Sequence, residues 1–233
     1  MHTIVLWSKD FSNLLRNEHG LRALLEAYDQ VYLHFTLTGL GGTAVEPGVP
    51  PLLRAIAQLT ELKKITGDPR RISVRFDPVL FWEDAGAVRS NLGFFPEMAA
   101  AAAGVGIKDI RTSFAQWYGK AKRRAAARRF LFIDVAEEEK RAHAAALAEV
   151  AAAHGLALFA CCQPALAGVP GVKPSACIDA TLLESLHPAG EPASQRKDRS
   201  QRAGCLCTES KDIGSYTQAC PHGCVYCYAN PGI

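Results

Sequence analysis

The chain has 233 residues, 26 Lys+Arg against 23 Asp+Glu for a formal net charge of +3, 48% hydrophobic residues and 8 Cys. Set against the roughly 150 residues of an ordinary domain, that length suits one large domain with an appendage as well as two domains. With 21% charged residues and so small a net charge, a disordered polyelectrolyte and a uniformly basic nucleic-acid binder are excluded.

Short apolar, β-branched runs alternate with helix-like stretches from residue 3 to about 159. Residues 3–7 (TIVLW), 31–37 (VYLHFTL), 72–76 (ISVRF), 107–114 (IKDIRTSF) and 156–161 (LALFAC) read as buried strands. Leu14, Leu15, Leu21, Leu24 and Leu25 recur at helical spacing in the first interval, and Leu53, Ile56, Leu59 and Leu62 in the second. Residues 136–154 open on three Glu and stop at Gly155, as a helix dipole and a C-cap prefer. The longest apolar run, 98–107, is too short and too rich in Ala and Gly to span a bilayer. No basic stretch leading into an apolar one opens the chain. The expectation is a cytoplasmic protein with no membrane partner.

This alternation predicts βα units around a parallel sheet, an α/β fold of TIM-barrel-like or partial-barrel type over residues 1–190. Chemistry in such folds gathers at the C-terminal ends of the strands. Those ends carry Ser8, Lys9 and Asp10; Thr36, Thr38 and the glycine loop 39–42; Arg75 and Asp77; Ser113, Gln116 and Tyr118; and Cys161, Cys162 and Gln163. Arg75, Asp77 and Tyr118 are the candidates for catalysis, and Thr36 and Thr38 for cofactor contact. The bland alternative makes Asp77-Pro78 a turn starter, Arg75 its ion-pair partner and the glycine loop a flexible connection.

Beyond Gln163 the texture becomes Pro- and Gly-punctuated loop, with one short helix around 179–186, and then a polar, basic connector, 191–204 (EPASQRKDRSQRAG). Five cysteines, Cys205, Cys207, Cys220, Cys224 and Cys227, crowd the last 29 residues. In a reducing compartment clustered thiols are metal ligands more often than disulfides. Residues 191–233 are therefore expected to form a metal-binding tail on the barrel mouth.

Cys220, Cys224 and Cys227 form a C-x3-C-x2-C array with Gly223 relieving the turn. Three such thiolates can hold three irons of a 4Fe–4S cluster and leave the fourth open to a small molecule. Zinc is the alternative, with a fourth ligand from Cys205, Cys207 or His222. Cys205 and Cys207, with Cys162 and Cys177, can also furnish a second four-thiolate site. Strand alternation points Cys161 and Cys162 in opposite directions, so one of the two at most, Cys162, is expected to join it. His222 reads as a turn-stabilising partner. Asp212 can shape the intervening loop, and Tyr216 can pack over a cluster.

The array, with Tyr226 ahead of its last cysteine, resembles the signature of radical S-adenosylmethionine enzymes. That resemblance implies a partial barrel, reductive cleavage of S-adenosylmethionine to a 5′-deoxyadenosyl radical, Tyr226 near the adenine, and a ferredoxin or flavodoxin as electron donor. The fuller tail CLCTESKDIGSYTQACPHGCVYCYAN, with FTLTG, EPGVPP, RFDPV and ACID upstream, is similar to the bacterial family DUF1848. Two departures stand out. The array lies late in the chain, and the family resemblance implies a further N-terminal strand and an Arg-Thr-Asp motif ahead of this start. The substrate class, small molecule or macromolecule, stays open.

Two further readings compete. One is a non-catalytic barrel stabilised by zinc or a cluster, or an electron-transfer protein. The other is nucleic-acid binding through Lys120, Lys122, Arg123, Arg124, Arg128 and Arg129, with Arg196, Lys197, Arg199 and Arg202 in the connector. No aromatic residues interleave these charges to stack bases, so a solvated helix face is the simpler account.

Overall fold

Strands and helices alternate along most of the chain in a computed structural model, which describes residues 2–214 and 219–229. In order they are β1 (Ile4–Ser8), α1 (Ser12–Leu15), α2 (Leu21–Leu25), β2 (Val31–Thr36), α3 (Leu52–Ile56) and α4 (Gln58–Thr66). Next come β3 (Ile72–Val79), β4 (Phe81–Asp84), β5 (Ala87–Ser90), α5 (Phe95–Val105), β6 (Asp109–Phe114) and α6 (Gly119–Ala127). The series closes with β7 (Leu131–Ile133), α7 (Glu137–Ala153), β8 (Ala157–Cys161), β9 (Val172–Ser175) and α8 (Ala180–Ser185).

Six strands form one parallel sheet in the order β1-β2-β3-β6-β8-β9. When spatial order follows chain order and every crossover is right-handed, the connecting helices fall on one face. Accordingly Leu14 of α1, Leu59 and Leu62 of α4, Phe95 and Met98 of α5, and Leu147 and Ala151 of α7 share one core with Leu33, Phe35, Val74, Phe76, Ile110 and Leu158 of the strands. Alternation sends the intervening residues to the other face: Tyr32, His34 and Thr36; Ser73 and Arg75; Asp109, Arg111 and Ser113; Phe159 and Cys161. One face of the sheet is therefore apolar and helix-covered, and the other is polar.

Local chemistry explains the helix ends. The Glu139 carboxylate accepts from Ala136 N at 3.2 Å, and Gly155, at φ +69°, follows the end of α7. α5 starts beside Pro96 and stops at Gly106, at φ +95°. The polar face is covered at its N-terminal end by α8, whose Leu183 and flanking Leu186 pack on Tyr32. Gln30 Nε2 donates to Leu183 O and Arg71 Nη2 to Leu186 O, both at 2.8 Å.

The sheet is open, with β1 and β9 at its edges, and no closed barrel forms among the described residues. A second, antiparallel sheet, β5-β4-β7, was not anticipated. Its hairpin turns through Ala85 and Gly86, at φ +51° and +78°, and Ala-Gly is a weak sequence signal for such a turn. The two early helical stretches are each broken in two, the first where Asn17, His19 and Gly20 take positive φ. Among the described residues no helix is long and apolar enough to cross a membrane.

Candidate functional site

The C-terminal half of the polar face centres on Arg75, Asp77 and Ser113. Arg75 Nη2 pairs with Asp77 Oδ2 and Ser113 Oγ donates to Asp77 Oδ1, so both carboxylate oxygens are engaged. Thr36 neighbours Arg75 in register. Deeper, His34 is fully buried and donates through Nε2 to Cys177 O at 2.8 Å, which leaves Nδ1 without a partner. Burial, with the Arg75 and Arg111 charges, pushes the His34 pKa well below its ordinary value.

The cysteine array sits on the loops beyond β1 and β2. Val225, the residue between Cys224 and Tyr226, is buried with Leu40, Val45, Leu80, Trp117, Ala121 and Ala125, and its N–H donates to Val45 O at 3.0 Å. Gly48 N donates to His222 O at 3.0 Å, and His222 Nδ1 returns a bond to Gly48 O at 3.1 Å. From α6, Arg124 donates to the Cys227 carbonyl and, at 3.0 Å, to Ala229 O, while Arg128 Nη1 donates to Gly223 O at 2.6 Å. Two members of the basic cluster are thus clamps on the cysteine loop. Gly223 takes φ +61° between His222 and Cys224.

Beside Cys224 lies a small charged group. Lys9 Nζ pairs with Glu46 Oε1 at 3.1 Å, and Tyr226 donates to the same oxygen. Glu46 is fully buried and its Oε2 has no partner. Burial pushes the Cys224 thiol up to about 12, with Lys9 opposing and Glu46 adding to the rise. Burial also raises the Tyr226 phenol well above its usual range, and the Glu46 carboxylate raises it further.

The other five cysteines gather at the end of β8. Cys161 Sγ lies 3.1 Å from Cys177 Sγ, and Cys162, Cys205 and Cys207 form a buried group against which Cys161 and Cys177 pack. Cys162 takes φ +48° just past the strand end. The two-residue alternation therefore stops at Cys161, and both neighbours reach the same group, contrary to the one-in, one-out expectation. The hydrogen bond from Cys177, aided by Arg75, lowers the Cys161 pKa, and the same bond pushes Cys177 up to about 12.

Of the residues expected to act, Arg75 and Asp77 meet each other and Ser113. Tyr118 does not join them: it is exposed, bonded to Gln116 and, at 2.9 Å, to Arg202, with its ring 5.9 Å from that of Tyr228. Thr38 is spent locally, its hydroxyl taking Leu40 N at 3.4 Å and its carbonyl Asn91 Nδ2 at 3.2 Å. Tyr216 lies outside the described residues. Glu46 was not singled out by sequence reasoning. Its signal was a carboxylate inside the otherwise apolar run VEPGVPP. Among the described residues, no three His, Cys, Asp or Glu side chains stand at the spacing of one shared metal ion.

Residues 1–229 match the model of a domain of unknown function, DUF1848, and the chain belongs to that family. No curated protein and no solved structure matches it.

Proposed function

We propose that this DUF1848 protein is a radical S-adenosylmethionine-type iron–sulfur protein, with Cys220, Cys224 and Cys227 as the ligands of a 4Fe–4S cluster and the polar sheet face as the substrate side of a partial barrel. The observation that carries it is the pairing, at one place, of a three-thiol loop with a buried carboxylate atom that has no partner. Three soft donors within eight residues, docked by Arg124, Arg128, His222 and Val225, suit a cluster that takes three thiolates. Glu46 Oε2 is an acceptor without a donor, and the amino group of a bound S-adenosylmethionine would satisfy it. When bound, such a cluster would supply the reducing electron and an open iron position.

The chain's own residues do the rest. Lys9 and Tyr226 fix the Glu46 carboxylate by binding its other oxygen. Asp77, held by Arg75 and Ser113, offers a fixed negative group to a substrate on the polar face. Cys224 is buried and Tyr226 partly buried, which limits water at this carboxylate.

The test is iron, sulfide and zinc analysis of anaerobically purified protein, for the wild type and for the variant C220S/C224S/C227S. A brown wild type that loses about four irons per chain on triad replacement supports the reading. Colourless protein with stoichiometric zinc overturns it.

A further inference from the structure

We infer that the five-cysteine nest is a second, separate thiolate metal site, with Cys161, Cys177, Cys205 and Cys207 as its four ligands. The proposal stands on geometry that the first site does not use. The four thiols come from three distant segments, the end of β8, the loop before α8 and the Cys205-Leu206-Cys207 turn, yet pack into one group, Cys205 and Cys207 buried and Cys161 and Cys177 partly buried. Cys161 and Cys177 sulfurs touch at 3.1 Å. Cys207 Sγ accepts from the backbone N–H of Cys177 at 3.2 Å and of Ile178 at 3.4 Å. Paired N–H···S bonds of this kind support a sulfur that carries negative charge, as a metal-bound thiolate does. Positive groups face the same nest: Arg75 lies close to Cys161 and Cys177, and Arg202 close to Cys162 and Cys205.

The connector's architecture points the same way. Residues 186–214 contain no helix or extended strand, only an isolated bridge between Lys197 and Thr208. A backbone bond from Thr208 N to Ile178 O at 3.0 Å ties this segment to the loop before α8, and one from Asp198 N to Cys207 O at 2.9 Å closes the segment on itself. Such a segment buries little apolar surface: past its first two residues, Leu186 and His187, its buried residues are Asp198, Cys205 and Cys207. A metal bound by four thiolates stabilises a coreless segment directly, because affinity for the folded site adds to folding. The four thiols do not stand at the spacing of one bound ion in this structure, so binding would draw them together. Tetrahedral thiolates about 2.3 Å from zinc sit roughly 3.8 Å apart, so the Cys161 and Cys177 sulfurs, at 3.1 Å, would separate by less than an ångström. Binding replaces the thiol protons, which leave to solvent. Cys162 remains a buried neighbour.

This site does not depend on the triad, so the experiment separates the two. The full chain with C220S/C224S/C227S is prepared anaerobically and reconstituted in two arms, with zinc alone and with ferrous iron plus sulfide, then desalted and analysed. One tightly held zinc, or about four irons, per chain in that variant supports the second site, and the arm that fills says which metal it takes. Adding C205A/C207A to the same background should remove that metal at least tenfold. In the reverse variant, C205A/C207A alone, iron at the triad should survive, which also shows that the chain still folds. The proposal is overturned if the triad variant keeps no metal in either arm while its far-ultraviolet dichroism matches wild type. It is equally overturned if mass mapping finds Cys161 and Cys177 joined as a disulfide in the anaerobic protein.

Discussion

Replacing Gly48 by Ala tests whether the cysteine loop is seated by close backbone contact. A Cβ at Gly48 would stand 2.9 Å from His222 Cα and from the Pro221 carbonyl carbon, and nearer still to the Pro221 oxygen. These are backbone atoms, so no side chain can swing aside, and the loop must back away by roughly an ångström to reach ordinary contact. Overpacking of this sort costs about 1–3 kcal/mol. The displacement also lengthens two hydrogen bonds, Gly48 N to His222 O and His222 Nδ1 to Gly48 O, at ~1 kcal/mol together once water replaces part of each. A total of about 2–4 kcal/mol lowers the ratio of docked to undocked loop by roughly 30- to 1,000-fold. Amide hydrogen exchange reads this directly, because Val225 N–H is protected by Val45 O only when the loop is docked. Exchange at Val225 should accelerate by at least 30-fold in G48A, while Val74 in the middle of the sheet keeps its protection. Unchanged exchange at Val225 would refute the seating.

Three further outcomes follow from the same contacts. R124A/R128A removes three charged donors to tail carbonyls, each bond being worth about 1.5 kcal/mol, so protease cleavage within residues 219–229 should quicken more than tenfold; an unchanged half-life contradicts the clamp. D77N leaves the Arg75 guanidinium buried without its counter-charge, which should cost about 3 kcal/mol in urea unfolding; a loss under 1 kcal/mol would mean the pair is solvated. His34 is held neutral in the folded chain, whereas the unfolded chain takes up a proton there below about 6.5. Stability from this group is therefore full above that pH and falls at up to about 1.4 kcal/mol per unit on acidification. H34Q should flatten the acid limb relative to wild type, and parallel limbs would contradict the assignment.

The parallel sheet was legible because its strands are dense runs of Val, Ile, Leu and Phe bounded by turn residues, and the polar strand ends were legible for the same reason. Leu156 to Cys161 alternates a residue on the helix-covered face with one on the polar face, as period two requires. That same rule failed one residue later, since a single positive φ at Cys162 re-aims the side chain and no pattern in Cys-Cys-Gln announces it. The broken early helices had a similar cause: Leu14, Leu15, Leu21 and Leu24 keep helical spacing across a kink that Asn17, His19 and Gly20 make. Leu24 and Leu53, which share that helical spacing, are 61% and 70% exposed. Glu46 and the roles of Arg124 and Arg128 were hidden for another reason. Their partners lie 37 to 180 residues away in the chain, and charge patterning alone presents such residues as a solvated face. Sequence reading already sets Cys162 and Cys177 beside Cys205 and Cys207, and the fold adds Cys161 to that group.

The most direct test of the central claim is the yield of 5′-deoxyadenosine from iron-loaded, reduced protein supplied with S-adenosylmethionine. Wild type should release it, C224S should release none, and E46Q should need a higher S-adenosylmethionine concentration for the same rate. Wild-type protein that carries its iron and sulfide yet releases no 5′-deoxyadenosine under reduction would contradict the account.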